Sequence, residues 1–271
     1  MSLSPTPTTL MPPGLLSGLE GQRVVVTAGA GGIGLATARL LHAQGCRVAL
    51  CDVSTEALDA VAAELPGVTV ASADVSDETE VARFFDIALE ALGGLDGLVN
   101  NAGIAGPTGG VEEISVADWR RCLDIGLTGQ FLCTRLAVPH LKAAGGGAIV
   151  NMSSSAGRHG YAYRTPYAAA KFGVIGFTQS LAKELGPSNI RVNAVLPGIV
   201  AGPRMEKVIR DRAAQVGVPY EEMETRYLEK VSLRRMVTAE DVAGSIAFLL
   251  SAAGRNLSAM SFNVDGNVET L

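Results

Sequence analysis

Several short runs of the chain are apolar along their whole length rather than alternating. They are RVVVT from Arg23, RVALC, VTVASA, DGLVNNAG, GAIVNMS, IRVNAVL and MSFNVDG. Strands hydrophobic on both faces must be covered on both faces, which is the situation of a parallel sheet between helical layers. Helical patterns fall between the runs. GIGLATARLLHAQG sets Ile33, Ala36, Leu40 and Leu41 on one face, and STEALDAVAAEL and DETEVARFFDIALEAL follow later strands. Repeated strand–helix units with right-handed crossovers predict an α/β fold: a doubly wound, parallel, seven-stranded Rossmann-type sheet with helices on both faces.

With 271 residues, 48% of them hydrophobic, and neither an internal repeat nor a linker, one domain over 19–271 is expected. The opening MSLSPTPTTLMPPG has no positive charge and no apolar core segment, so residues 1–18 read as a disordered tail rather than a secretory signal. A net charge of −5 with no Lys/Arg run argues against a nucleic-acid partner. No apolar run reaches the roughly 18 residues that a membrane span needs. Cys46, Cys51, Cys122 and Cys133 lack metal-ligand or C-x-x-C spacing. Reduced thiols in a cytoplasmic protein are the expectation, and no metal site is. The charged segment over about 202–236 interrupts the strand–helix rhythm. Because ligands bind beyond the carboxyl ends of strands in such sheets, it is expected to form a lid over the pocket.

The first strand runs directly into glycines. Gly29, Gly31 and Gly34 match G-x-G-x-x-G between a strand and a helix, with Gly32 beside them. A helix N-terminus offers unpaired N–H groups and partial positive charge to a pyrophosphate, and residues without Cβ let it approach. The second strand ends in Asp52, whose carboxylate can accept the ribose hydroxyl hydrogens of NAD and would repel the extra phosphate of NADP. No Arg or Lys lies in the turn or directly after Asp52, so NAD is the expected cofactor. Asp52 has an alternative use as a helix N-cap, but Ser54 or Thr55 suits that role better.

At this point the sequence resembles the short-chain dehydrogenase/reductase family, in its single-domain branch. The resemblance runs from about Leu19 to Gly266. Its motifs occur in order: TAGAGGIG, Asp74-Val75, NNAG at Asn100–Gly103, SSSAG, YAAAK, Pro197-Gly198 and VDG at Val264–Gly266. The resemblance implies strand order 3-2-1-4-5-6-7 and assembly as a homotetramer or homodimer. It implies that Gly29, Ala30, Gly31, Gly32, Ile33, Gly34 and Asp52 hold the cofactor. Asp74 and Val75 would flank the adenine. Asn101, Ala102 and Gly103 would line the cofactor channel, and Pro197, Gly198 and Val200 would lie along the nicotinamide carboxamide.

The Y-x-x-x-K pair is Tyr167 and Lys171, which i, i+4 spacing sets on one helical face. A phenol with an ordinary pKa of about 10 needs a nearby ammonium to act as a base near neutrality. The family resemblance makes Tyr167 the acid/base. It gives Lys171 the further task of holding the nicotinamide ribose, and it makes Ser154, in its S-x-x-G context, the hydroxyl that orients the substrate oxygen. Ser153 and Ser155 are the competing serines and rank lower, because neither has the same relation to Gly157.

Three positions depart from the family pattern. Ala28 stands where a glycine is usual, which matters only if that position needs positive φ; a small perturbation is expected. Gly126 stands in DIGLTGQF where the family has an Asn whose carbonyl holds a water linking the lysine to solvent. The carbonyl is kept, but the side-chain amide that braces the helix kink is lost. Gly202 replaces a Thr that bonds the carboxamide.

The expected activity is NAD-dependent hydride transfer to or from a secondary alcohol, such as a sugar, polyol or hydroxy acid. The alternatives are an NADPH-type carbonyl or 3-oxoacyl reductase and a non-catalytic NAD-binding sensor. Arg158, His159, Arg164 and Arg204 suit a carboxylate or polyhydroxy substrate. Tyr161, Tyr163, Met205 and Met223 suit an apolar alcohol or ketone. The residues alone leave both open.

Overall fold

The computed structural model describes Gly14 and residues 16–269; most of the expected 1–18 tail lies outside these. Ser17, within the expected tail, is tied to the body of the fold. The Ser17 carbonyl accepts a hydrogen bond from Ala252 N–H at 2.9 Å, and Leu19 is fully buried.

The chain runs β1 (Arg23–Thr27), α1 (Gly32–Ala43), β2 (Arg47–Asp52), α2 (Thr55–Glu64), β3 (Thr69–Ser72) and α3 (Glu78–Leu92). It continues with β4 (Gly97–Asn100), α4 (Val116–Leu123), a π-helical turn at Asp124–Thr128, α5 (Gly129–Ala143) and β5 (Gly147–Met152). Then come α6 (Thr165–Leu185), β6 (Ile190–Pro197), α7 (Pro203–Val216), α8 (Tyr220–Leu228), α9 (Ala239–Leu250) and β7 (Ser261–Val264). All strands pair in parallel in one seven-stranded sheet of order β3-β2-β1-β4-β5-β6-β7.

Period-2 geometry sends alternate residues of each apolar strand into two separate cores. Val25, Leu98 and Ile149 face Phe84, Phe85, Leu141 and Leu185 from α3, α5 and α6. Val24, Val26, Val99 and Val150 face Leu41, Val242 and Ile246 from α1 and α9. Caps mark the helix starts. The Ser54 hydroxyl accepts from Ala57 N–H at 3.2 Å, so the cap of α2 is Ser54 and Asp52 is left for the cleft. Thr238 and Asp241 form a reciprocal capping box at the start of α9.

The segment between β6 and α9 folds into the pair α7 and α8, which closes a small core of its own around Ile209, Ala213 and Met223. An isolated bridge joins its two ends, Val200 to Val237, and another ties Val231 to Val268 after β7.

Sequence order in the sheet reverses between β1 and β4, and a crevice opens there beyond the strand ends. Its two walls are laced together. The Asn101 side-chain amide donates to the carbonyls of Thr27 (3.1 Å) and Ala28 (3.0 Å), while Asn101 N–H and Ala102 N–H both donate to the Thr27 hydroxyl at 3.0 Å. A Cβ on Gly34 would collide with the Ala28 carbonyl oxygen and lie 2.7 Å from Asn101 Nδ2, so this glycine serves the packing of α1 against the crevice. Ala28 itself has φ of 49°, in the left-handed region, so the condition that makes its Cβ costly is met. Gly34→Ala is expected to destabilise the protein by about 1–3 kcal/mol through overpacking, read as a lower denaturant midpoint. Ala28→Gly is expected to raise the midpoint slightly, since relief of about 1–2 kcal/mol of strain is partly offset by glycine's entropy.

Candidate active site

A cleft of about 530 Å³ opens at the crevice. Its floor is the strand-to-helix turn. Gly31 and Gly32 line it with open space where a Cβ would stand, and the N-cap of α1 is Gly31, which supplies no side-chain cap and leaves the first N–H groups available. Ile33 lines the same wall. Gly29 and Ala30 do not. A Cβ on Gly29 would press within 2.6 Å of Leu50, and Ala30 N–H donates to Asp52 Oδ2 at 3.2 Å. Asp52 faces the cleft from the end of β2, its other oxygen accepting from Ser54 N–H at 3.3 Å.

Asn101 and Gly103 line the cleft, as do Pro197, Gly198 and Val200 beyond β6; Ala102 is buried behind them. Asp74 and Val75 lie outside it. Asp74 turns back on its own chain, accepting from the Ser76 hydroxyl (2.7 Å) and N–H (2.9 Å), and Val75 packs where a Cβ on Gly129 would sit. Burial pushes the Asp74 carboxyl up, but the Ser76 bonds and the charge of Arg121 outweigh it and hold it below the usual range. Only Oδ1 is engaged in this way.

Helix α6 carries Tyr167 and Lys171 into the cleft on successive turns, with Pro166 in its first turn fixing the entry of the chain. Lys171 is buried; its ammonium donates to the Met152 carbonyl at 2.7 Å and lies 5.7 Å from the Tyr167 ring centroid. Burial drives the Tyr167 phenol up, yet the charges of Lys171 and Arg204, the hydrogen bond from Ser154 and the charge of Arg164 together bring it below its ordinary value. Lys171 is also lowered, first by burial and then against the opposing pull of Tyr167.

The three serines separate cleanly. Ser153 donates to the Lys171 carbonyl at 2.8 Å and Ser155 to the Pro197 carbonyl at 3.2 Å, both buried. Ser154 alone is turned to Tyr167.

The π-helical turn brings Gly126 against α6, where a Cβ would lie 3.2 Å from Ala170 Cβ. The brace expected to be missing here is present, but comes from Gln130. Its buried amide donates to the Gly126 carbonyl (3.3 Å) and the Met152 carbonyl (3.1 Å), the second of which also holds Lys171. No motif marks Gln130; the one signal is its place four residues after Gly126. Tyr227 also escaped notice. It reaches the cleft from α8 and hydrogen-bonds with Tyr161; burial, then that neighbour, push its phenol well up. Gly202, at φ 136°, adopts a conformation a Thr would strain.

Of the basic residues, Arg164 and Arg204 line the cleft, whereas Arg158 and His159 do not. Met205 and Tyr161 line it too, and Tyr163 and Met223 line an adjoining cavity. The four cysteines are buried and free. Among the described residues no metal-binding cluster occurs, and no helix is long and apolar enough to cross a membrane.

A nucleotide crevice beside a Ser–Tyr–Lys cluster defines a class of dehydrogenases, and comparison with known proteins agrees. The family model for short chain dehydrogenases matches residues 22–214. The chain is 42% identical over 246 residues to cis-4-hydroxycyclohexanecarboxylate dehydrogenase of Sinomonas cyclohexanicum, covering 89% of this chain and 94% of the relative. It is 36% identical over 250 residues to 2-dehydro-3-deoxy-L-rhamnonate dehydrogenase (NAD(+)) of Sphingomonas sp. (strain SKA58), covering 92% and 96%. Among solved structures, a variant of actinorhodin polyketide ketoreductase with NADPH superposes with a TM-score of 0.88 at 31% identity, covering 94% of this chain and all of that one (100%). The chain belongs to the short-chain dehydrogenase family. It is an oxidoreductase that acts on alcohols or ketones with a nicotinamide cofactor.

Gln130→Met, which keeps the volume and removes both amide bonds, is expected to lower kcat about tenfold and to displace its pH profile, leaving KM little changed. Gly126→Asn is expected to slow the enzyme rather than speed it, because its Cβ crowds Ala170 while Gln130 already braces the turn. Steady-state rates across pH check both.

Proposed function

We propose that the protein is an NAD-dependent dehydrogenase of a secondary alcohol, with Tyr167 as acid/base, Ser154 as substrate-orienting hydroxyl and Lys171 as electrostatic partner. The observation that carries this reading is the convergence of Ser154, Tyr167 and Lys171 in one cleft, with the Lys171 ammonium 5.7 Å from the Tyr167 ring centroid and Ser154 hydrogen-bonded to its phenol. In the oxidative direction Ser154 donates to the substrate oxygen and Tyr167 Oη, as phenolate, takes the hydroxyl proton. Lys171 stabilises that phenolate and is itself held by the Met152 carbonyl. The open floor at Gly31 and Gly32, the uncapped start of α1 and the Asp52 carboxylate suit a dinucleotide. The cofactor, when bound, supplies the hydride acceptor. Asn101, Gly103, Pro197, Gly198 and Val200 are proposed to line it, with Gly29, Ala30 and Gly34 shaping the turn and Ile33 beside it.

Support for NAD over NADP is the charge at the end of β2, where Asp52 faces the cleft with no neighbouring Arg or Lys in the turn. The NADPH-type reductase is the second reading, favoured by the solved relative with NADPH. The names of two relatives support a ring or sugar-derived substrate. We further infer a cytoplasmic homotetramer or homodimer, which sizing by light scattering tests.

The experiment is absorbance at the nicotinamide band with NAD+ or NADP+, against sugars, polyols, aliphatic secondary alcohols and hydroxy acids including 4-hydroxycyclohexanecarboxylate. Turnover is expected with NAD+ preferred, rising with pH through a phenol ionisation below about 10. Tyr167→Phe is expected to lose at least about 1000-fold in kcat, given the usual worth of acid–base catalysis. Arg204→Met is expected to move the pH rise upward, because its positive charge helps hold the phenol down. Cofactor binding with no turnover on any alcohol would favour the sensor reading, and a preference for NADP+ the reductase reading.

A further inference from the structure

Arg164 stands three residues before Tyr167, at the cap position of α6. It is 6% exposed, unusual for an arginine. Its guanidinium is gripped between two rings, with the central carbon 5.1 Å from the centroids of both Tyr161 and Tyr167. One Nη donates to the Ala105 carbonyl, which locks the plane of the group. Its Nε is buried and has no hydrogen-bond partner. Among the described residues no carboxylate pairs with it; the ion pairs formed there involve other side chains.

Burial of a cation without a counter-ion is costly, and an unmet buried donor adds to that cost. Arg204, lining the same cleft, and the Lys171 ammonium add positive charge. The site therefore holds an excess of cations and a rigid, oriented, unfilled guanidinium beside Tyr167. The anionic part of a dinucleotide belongs to the glycine turn, whereas Arg164 stacks on the tyrosine itself. Around it, Ile199, Met205, Val208 and Tyr227 are apolar or half-apolar and suit a hydrocarbon frame.

The geometry points to Arg164 as the receptor for a carboxylate carried by the substrate itself, a few bonds from its secondary alcohol, with Arg204 as the second positive group. The substrate is thus a hydroxy acid with a compact apolar frame, rather than a neutral polyol or a steroid-like alcohol. The inference rests on the dehydrogenase reading for its chemistry, but Arg164 can bind a carboxylate whether or not turnover follows. A planar guanidinium suits a carboxylate better than a point charge does, so lysine is an imperfect replacement.

Two measurements test it. The first is calorimetric binding of carboxylates and their matched carboxamides to the protein with NADH present, using cyclohexanecarboxylate, 3-hydroxybutyrate and gluconate. The second is kcat/KM for 4-hydroxycyclohexanecarboxylate against its carboxamide. An acid preference of about 100-fold is expected, the size of a charge-assisted bond to a buried group. In Arg164→Met the acid-to-amide ratio should collapse toward unity, and in Arg164→Lys it should be partly kept; the neutral alcohol slows too, because Arg164 helps hold the Tyr167 phenol down, so the ratio is the readout. Loss of the phenol-stacking role alone would slow acid and amide equally, and that result overturns the proposal. So does turnover confined to neutral alcohols, or failure of every carboxylate to bind or react. Carboxylate binding that depends on Arg164, with no turnover of any alcohol, would uphold this site and overturn the dehydrogenase reading instead.

Discussion

A buried ammonium is unstable unless something negative or strongly dipolar is near it, and the site is arranged around meeting that need for Lys171. Met152, the last residue of β5, turns its carbonyl onto the ammonium. Gln130 holds the same carbonyl from α5, and Tyr167 offers a phenol one helical turn away. The need runs in both directions. Lys171 loses solvation and gains from a phenolate; Tyr167 loses solvation and gains from an ammonium. With Arg204 and Arg164 adding charge on the same side, the balance for Tyr167 falls toward ionisation despite its burial. The chemistry of the site thus follows from carrying one lysine into a protein interior.

That placement depends in turn on the sheet. Parallel strands covered on both faces end together, and where chain order reverses between β1 and β4 their ends part. The Asn101 amide spans the parting to the carbonyls of Thr27 and Ala28, fixing the glycine turn relative to β4. The turn accepts a strained Ala28 to do so. On the other side, Ser153 bonds the Lys171 carbonyl and Ser155 the Pro197 carbonyl, so the loop after β5 is pinned to α6 and β6 and Ser154 is left pointing at Tyr167. Two serines act as scaffold for the third.

The sheet was legible because apolar runs without alternation have few other uses, and the glycine turn and Y-x-x-x-K because their spacing is itself the geometry. The cap of α2 was readable from Ser54 for the same reason. Other features depend on backbone angles or on tertiary neighbours. Whether Ala28 carries strain turns on its φ. Gln130 acts through a π-helical turn that shifts the usual helical register, so its relation to Lys171 is invisible in the chain. Asp74's tie to Ser76 depends likewise on the turn that follows β3. Arg164 read as one basic residue among four; only burial and the two tyrosine rings set it apart from Arg158, which is exposed.

The central claim is that surrounding charge lowers one half-buried phenol. An ultraviolet difference titration of the protein without substrate, set against Tyr167→Phe, measures it directly. The account predicts one tyrosinate forming below the ordinary phenol pKa of about 10, absent from the variant and moved upward by Lys171→Met. A Tyr167 signal at or above that value, or one indifferent to Lys171, would contradict it.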